Sequence, residues 1–266
     1  MFNRSFETVP LALEIAILAV FVIALVFSMF GQGGGSLYTP TLVLLGFGVL
    51  VSVSASLVLN LVTATFATAV YVRQRYVSLP LGALLIPGSV AGAFLGGLWG
   101  NQVDTTLLLW VFVAFLVGAG ARMLAASWER EGDGATRSRV RLSYDVMAIV
   151  VVFSFAVGVL SGLLGIGGGI VLVPFLIFAL RVPTKESAGT TAFVVIFSSL
   201  AGVLGHSALG HLDVLLILAT VVAVAVGGFL GARLMVRVQT KLVRFGFGLL
   251  LWVFAVQLVV KLMGWG

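Results

Sequence analysis

The sequence predicts an all-α polytopic membrane protein made of two inverted five-helix repeats, with about ten membrane segments and short or broken half-helices at two glycine loops. Three observations lead to this fold class. Hydrophobic residues make up 61% of the 266 residues and charged residues 9%, with a mean hydropathy of +1.24. A glycine-rich block occurs twice, and the basic residues gather in alternate loops. Because no water-soluble domain of this length can bury so much apolar surface, the chain is expected to lie in lipid.

The glycine-rich block indicates an internal duplication. Gly31-Gln32-Gly33-Gly34-Gly35 aligns with Gly165-Ile166-Gly167-Gly168-Gly169 at an offset of 134 residues, and Pro40 then falls on Pro174. A second block, residues 92–96, matches residues 227–231 at an offset of 135. The match persists for about sixty residues with one slip, so the two blocks indicate a repeated unit rather than chance glycine runs.

Each half contains five apolar segments, and a helix needs about 20 such residues to cross a bilayer. The segments that follow the glycine blocks are shorter than the others. The predicted segments are 13–30, 37–50, 53–72, 79–98 and 105–124 in the first half, and 146–164, 170–180, 188–205, 213–231 and 243–263 in the second.

The distribution of basic residues predicts the orientation. If all ten segments cross, 13 of the 15 Lys and Arg residues fall on one side, which the positive-inside rule assigns to the cytoplasm. Only Arg4 and Lys261 lie opposite, and both termini then face the outside. If 37–50 and 170–180 are instead re-entrant, the cations split nine against six. The stronger bias favours ten crossings, and an odd number per half inverts the second repeat relative to the first.

Three regions follow from this topology. Residues 1–125 form the first membrane repeat, 126–145 a cytoplasmic loop between the repeats, and 146–266 the second membrane repeat. The loop is rich in Arg, Asp, Glu and Gly and carries no recognisable signal. The predicted location is the inner membrane, with several passes.

The two glycine loops are the first candidate site. Adjacent glycines remove side chains, permit positive φ and expose backbone N–H groups where the next short helix begins. Such a helix start attracts an oxyanion, and broken helices of this kind meet near the midplane in membrane transporters. The alternative is close helix packing through small residues, which is favoured for Gly96, Gly97, Gly227 and Gly228. The candidate binding residues here are Gly31, Gln32, Gly33, Gly34, Gly35, Ser36, Gly165, Gly167, Gly168 and Gly169.

Polar side chains cluster in the third segment of each half. Ser52, Ser54, Ser56, Asn60, Thr63 and Thr65 lie in the first half, and Ser187, Thr190, Thr191, Ser198 and Ser199 in the second. These hydroxyls can bind an anion, or they can bond to carbonyls of their own helix. Asn60 stands out because a mid-membrane amide requires a partner. From this cluster we select Ser56, Asn60, Thr190 and Thr191 as candidate binding residues.

Other residues support weaker assignments. Arg75 at a helix mouth and His206 near a helix end are assigned to attraction or gating. His206 and His211 are five residues apart, which does not place them on one helix face, so no metal site is predicted. No nucleotide fingerprint, paired carboxylates, thiol or zinc motif is present, so no cofactor and no enzyme activity are expected. Scattered cations favour membrane orientation over nucleic-acid binding.

The duplicated glycine block, Ala188-Gly189-Thr190-Thr191, His206, the Gly210-His211-Leu212-Asp213 stretch and the late glycine blocks resemble the TauE/SafE family over essentially the whole chain. This is the group of sulfite exporters, also called toluene-sulfonate uptake permeases. Gln32 departs from the apolar residue usual in the family, and Arg75 from a common glycine.

The resemblance implies a transporter of a small sulfur-containing oxyanion such as sulfite, a sulfonate or sulfoacetate, with the glycine loops as its functional region. Its partners would be the anion and membrane lipids, with a coupled proton or other ion left open. The alternatives are an anion channel-like pore and a transporter of carboxylates. The family is mixed in substrate and direction, so import and export both stay open.

Overall fold

The computed structural model describes residues 5–99, 106–128, 144–207 and 213–263, and these residues form ten α-helices without a β-strand. Most of the predicted loop at 126–145 and His211 lie outside the described residues. The helices are α1 (Ser5–Met29), α2 (Gly35–Leu44), α3 (Val49–Arg73), α4 (Leu79–Trp99), α5 (Thr106–Trp128), α6 (Tyr144–Leu164), α7 (Gly169–Phe178), α8 (Thr184–Ser207), α9 (Val214–Arg237) and α10 (Thr240–Leu262).

Six stretches among the described residues are long and apolar enough to cross a membrane. They are Val49–Arg73, Leu79–Trp99, Val146–Leu164, Thr184–His206, Val214–Arg237 and Thr240–Val260. Several helices extend beyond the predicted apolar segments: α1 starts at Ser5 rather than 13, and α8 at Thr184 rather than 188. Hydropathy marks only the part of a helix suited to hydrocarbon, whereas the hydrogen-bonded helix continues into the polar headgroup layer.

The helices after the two glycine blocks are short. α2 and α7 contain 10 residues each, so each is about 15 Å long, or half of a hydrocarbon core of about 30 Å. α2 lies against α3 and runs antiparallel to it, since Gly35 contacts Asn60 and Thr39 contacts Ser56. Thus α2 leads from the middle of α3 back to the end where α3 begins.

The two halves of the chain interlock rather than forming separate bundles. α1 packs on α9 and α6 packs on α4, so the first helix of each half lies against the fourth helix of the other. α3 likewise packs on α9 and α8 on α4, while α3 contacts α8 and α5 contacts α10. Every major contact in one half therefore has its equivalent in the other.

Glycine contacts give the direction of each helix. Gly227 and Gly231 of α9 lie against Phe21 and Leu25 of α1, so these helices are parallel. By the same test α4 is parallel to both α6 and α8, and α3 is antiparallel to α8. α3 is parallel to α9, because Gly228 lies against Thr63 and Arg233 lies near Val70 and Arg73. One group, α1, α3 and α9, runs in one direction, and the other group, α4, α6 and α8, runs in the opposite direction.

The α4–α6 interface depends on glycines that let the two backbones touch. Gly88, Gly92 and Gly96 follow one face of α4, and Gly158 of α6 faces them. A Cβ atom on Gly92 would collide with the carbonyl oxygen of Phe155. Because apolar lipid offers no hydrophobic force between helices, close van der Waals packing of this kind is what holds them together.

We expect Gly92→Ala to destabilise the protein by about 1–3 kcal/mol, since an added methyl group overpacks a backbone contact. The measurement is the apparent melting temperature of the purified protein in detergent. Gly118→Ala in α5 is the matched control, because a Cβ atom there meets nothing within 4 Å. Equal melting temperatures for the two variants would contradict this packing.

Candidate functional site

The two glycine loops have the same backbone conformation. Positive φ angles occur at equivalent positions: 70° at Gly31 and at Gly165, 80° at Gly33 and 78° at Gly167, and 110° at Gly34 and 75° at Gly168. Gly34 and Gly168 are the N-cap residues of α2 and α7. Only glycine adopts these angles without steric strain, which explains why the block is rich in this residue in both halves.

The loops are buried and lie directly against each other. A Cβ atom on Gly35 would come within 2.6 Å of the Gly165 carbonyl oxygen, and one on Gly169 within 2.6 Å of the Gln32 Cα atom. The first residue of each short helix therefore contacts the loop that precedes the other short helix. The structure thus brings together the two blocks that the sequence singled out.

Asn60 lies between the loops, in the middle of α3. Added Cβ atoms on the equivalent residues Gly33 and Gly167 would collide with its Oδ1 and Nδ2 atoms respectively. Asn60 Oδ1 accepts a hydrogen bond from the N–H of Gly35 at 3.0 Å, and Nδ2 donates to Ser199 Oγ at 2.8 Å. The side chain is completely buried, and one amide joins the first loop to α8.

Hydroxyl groups bind the carbonyl oxygens of the loops. Tyr38 Oη donates to Gly33 O at 3.2 Å, Ser56 Oγ to Gly165 O at 3.2 Å, and Ser198 Oγ to Gly167 O at 3.3 Å. α3 thus supports the second loop through Ser56 and α8 supports it through Ser198. These bonds satisfy the carbonyl oxygens of Gly33, Gly165 and Gly167.

The short helices begin without a side-chain cap. Among the described residues, the N–H groups of Ser36 in α2 and of Gly169 and Ile170 in α7 have no hydrogen-bond acceptor. Free N–H groups at a helix start carry positive partial charge, so they attract an anion. The Gly35 N–H, in contrast, is occupied by Asn60.

Two further polar groups of the candidate site are buried without a partner. Both amide atoms of Gln32, whose residue is 1% exposed, lack a hydrogen bond, and so does the Thr191 hydroxyl. A buried amide without a partner costs about 1–3 kcal/mol. Such groups in a native protein call for a ligand, an ordered water or another conformation in which they are satisfied.

The remaining predicted residues lie elsewhere or serve the fold. Thr190 Oγ1 accepts from the N–H of Ser78 at 2.9 Å and thereby ties α8 to the start of α4. Arg75 is exposed just beyond α3, about 20 Å along the helix from Asn60. His206 is buried at the end of α8, with Nδ1 3.1 Å from the Gly202 carbonyl oxygen. Neither of these two joins the central cluster.

Tyr38, Ser198 and Ser199 join the site without having been selected from the sequence. Ser198 and Ser199 belong to the polar cluster of the second half, but nothing in the sequence distinguishes them from Ser187. Their contribution depends on which face of α8 meets the loops. Tyr38 is separated from Gly33 by only one helical turn, and a polar aromatic residue after a glycine block was a signal that could have been used.

Chemically, the arrangement offers hydrogen-bond donors and no carboxylate. The donors are backbone N–H groups, amide and hydroxyl groups, and no group of three metal-ligating side chains occurs among the described residues. Donors without a compensating negative charge suit an anion that carries several acceptor oxygens.

Comparison with known proteins finds similar sequences along most of the chain. Residues 16–258 match the model of the family described as sulfite exporter TauE/SafE. The "Probable membrane transporter protein YunE" of Bacillus subtilis is 28% identical over 80% of this chain and 85% of its own length. A "Probable membrane transporter protein" of Xylella fastidiosa is 30% identical over 88% of this chain and 89% of its own. No solved structure matches the chain.

We expect Gly167→Ala and Asn60→Ala to be coupled. Each change alone destabilises the protein, the first through a collision with Asn60 and the second through lost hydrogen bonds. Removing the Asn60 side chain relieves that collision, so the double variant should recover about 0.5–3 kcal/mol relative to the sum. The coupling energy is obtained from the melting temperatures of the wild type, the two single variants and the double variant.

Gly46→Ala is the control for this cycle. Gly46 also has a positive φ, 93°, but a Cβ atom there meets nothing within 4 Å. Gly46→Ala should therefore add to Asn60→Ala without coupling. Additive effects for Gly167→Ala as well would show that Asn60 does not occupy the space between the loops.

Proposed function

The chain belongs to the sulfite exporter TauE/SafE family of membrane transporters, and we propose that it is a secondary transporter of a small sulfur-containing oxyanion across the inner membrane. The anion is held near the midplane by N–H groups of the two glycine loops. The observation that carries this proposal is the meeting of two uncapped helix starts around Asn60, with donors that have no acceptor. Unpaired N–H donors in the membrane interior are costly, and in a transporter a bound substrate is the partner that satisfies them.

In this proposal Asn60 occupies part of the anion site while no substrate is bound. Its Oδ1 atom accepts the Gly35 N–H in the way that an oxyanion oxygen would. A hydrogen bond to a neutral amide is worth about 0.5–1.5 kcal/mol and one to a charged group about 1.5–3 kcal/mol. An arriving anion is therefore able to displace the amide oxygen and bind the start of α2.

The two loops have the same backbone conformation but differ in one side chain, and this difference affects which substrate fits the site. Gln32 occupies the position that Ile166 occupies in the second loop, and both are buried. The unpaired Gln32 amide donates to one anion oxygen and accepts from a protonated group, whereas Ile166 presents only apolar surface. This asymmetry supports a substrate with a polar oxyanion head and a less polar remainder, as in a small sulfonate.

We further propose that the protein consists of two inverted repeats that rock about this site, with residues 1–125 and 146–266 as the repeats. The helix directions support this arrangement. α1, α3 and α9 run opposite to α6, α8 and α4, which are their counterparts in the repeat. In this arrangement residues 30–34 and α2 together form the second of the five membrane passages of the first half. Both termini then face the outside.

The decisive experiment is uptake and counterflow in proteoliposomes that contain sulfite, taurine, isethionate or sulfoacetate, with and without a proton gradient. We expect saturable flux of at least one anion and at least a tenfold loss in Gly168→Leu. Leucine at this position is strained by the φ of 75°, and its Cβ atom lies 3.1 Å from Val157. The protein should still insert, because the change lies inside the loop.

Gly46→Leu controls for backbone strain alone, since φ is also positive there but the space around it is open. This control should retain most of the wild-type flux. Wild-type flux in a folded Gly168→Leu protein would show that the glycine loops are not the substrate site. Unsaturable flux that carries current would identify a pore, and flux of carboxylates alone would correct the substrate class.

Reporter fusions test the proposed topology. A fusion at residue 134 should read as cytoplasmic and a fusion at the C-terminus as external, because five passages separate them. A cysteine introduced at an exposed site in the α2–α3 turn, such as Gly46, should be labelled from the outside. Reporters at residue 134 and at the C-terminus on the same side would refute the inverted arrangement.

A further inference from the structure

A second polar site lies away from the glycine loops, where the last turns of α3 and α9 adjoin. A cavity of about 410 Å³ opens there, and its polar lining consists of Arg73, Gln74, Arg233 and Arg237. Val70 and Phe229 form part of its apolar wall. We propose that this cavity binds the phosphate headgroup of an anionic glycerophospholipid.

The three arginines are not accounted for by the fold. Among the described residues none of them forms an ion pair with a carboxylate. Arg233 lies over the ring of Phe229, with Cζ 4.2 Å from the ring centre, which holds its guanidinium group in place. Three like charges around one cavity repel each other, so they favour an anion that neutralises them.

Capping of the helix ends does not explain them either. Basic residues commonly bind the last carbonyls of a helix. Here Lys185 Nζ donates to Val236 O at 2.9 Å and performs that task for α9. The carbonyls at the end of α3 accept from the backbone N–H groups of Gln74, Arg75 and Tyr76. The guanidinium groups of the cavity are therefore left to bind something else.

The depth of the cavity matches the phosphate layer. Arg73 is 13 residues after Asn60, so it lies about 20 Å along the helix from the middle of α3. The hydrocarbon core extends about 15 Å from the midplane and the headgroup layer a few Å further. This depth, on the side rich in basic residues, places the arginines where lipid phosphates lie rather than in free solution.

Exposed apolar faces lead to the cavity on both helices. On α9, Val226 and Leu230 are 46% and 42% exposed, and they precede Arg233 and Arg237 by seven residues each, so all four share one helix face. On α3, Phe66, 44% exposed, precedes Arg73 by the same spacing. Acyl chains that lie along these faces bring a phosphate to the arginines.

The charge of the site selects among phospholipids. A zwitterionic headgroup would place an ammonium group near three guanidinium groups that no carboxylate among the described residues offsets. An anionic headgroup without an ammonium, such as that of phosphatidylglycerol, avoids this repulsion and keeps the bidentate guanidinium–phosphate contacts. The cavity is thus predicted to prefer anionic over zwitterionic lipid. This proposal does not depend on which solute the protein transports.

The test is native mass spectrometry of the purified full chain, titrated in detergent with phosphatidylglycerol or phosphatidylethanolamine. We expect the wild type to bind phosphatidylglycerol at least tenfold more tightly, and the double variant Arg233→Gln, Arg237→Gln to lose that preference. Arg181→Gln with Lys241→Gln is the control, because it removes two exposed charges from the same side but outside the cavity. The control should keep the wild-type preference.

Soluble inorganic phosphate and glycerol 3-phosphate form a separate arm of this test. Competition by either at low millimolar concentration would show that the cavity binds free phosphate and would overturn the lipid assignment. Equal binding of the two lipids by the wild type, or an equal loss in the control, would overturn it as well. Because the preference is a ratio measured within each folded variant, a general loss of stability does not imitate the expected result.

Discussion

Everything in this fold depends on the rule that backbone polar groups at membrane depth need a partner inside the protein. α1 and α6 end at glycine loops, and α2 and α7 begin there as half-length helices. Neither break could face lipid, because its free N–H and carbonyl groups would be unsatisfied. The two loops are instead packed on each other and sheltered by α3 and α8, whose Asn60, Ser56 and Ser198 side chains bind them. Each glycine loop is tolerated inside the membrane because the other loop covers it and keeps its backbone away from lipid.

Glycine serves two separate purposes in this chain, and the contacts distinguish them. In the loops, positive φ at positions such as Gly33 and Gly167 demands the residue for its backbone conformation. In α4, Gly92 is helical, and its value is the absence of a side chain where the Phe155 backbone passes. The first kind shapes the candidate site, and the second fixes how the halves interlock.

Much of this could be predicted from the sequence because it follows from patterns along the chain. Composition predicted the helical membrane class, and short segments were predicted after both glycine blocks, at 37–50 and 170–180, where the structure has Gly35–Leu44 and Gly169–Phe178. The first prediction ended six residues too late, because the turn between α2 and α3 contains the apolar residues Leu45 and Phe47. Asn60 was selected because a mid-membrane amide needs a partner. Its partner Ser199 could not be selected, because two residues 139 positions apart meet only through the packing of α3 on α8.

Position along the helices was enough to predict that Arg75 and His206 lie at helix ends, and the structure has both there, away from the loops. Their assigned role in attraction or gating stays a prediction. The unpaired amide of Gln32 could not be predicted, because a sequence does not show which polar groups remain without partners. Only the three-dimensional hydrogen bonds distinguish a satisfied glutamine from one without a partner.

Asn60 has no equivalent in the second repeat, and this asymmetry affects how α3 moves relative to α8. Its counterpart at the 134-residue offset is Val194, which is buried and apolar, so a single amide lies against both loops. Sliding of α3 past α8 breaks either its bond to Gly35 or its bond to Ser199. Each neutral bond is worth only about 1 kcal/mol, so this contact is weak enough to open thermally. Under the proposed function, an anion that binds the Gly35 N–H displaces the Asn60 oxygen from the start of α2, while the bond of the same amide to Ser199 still links α3 to α8.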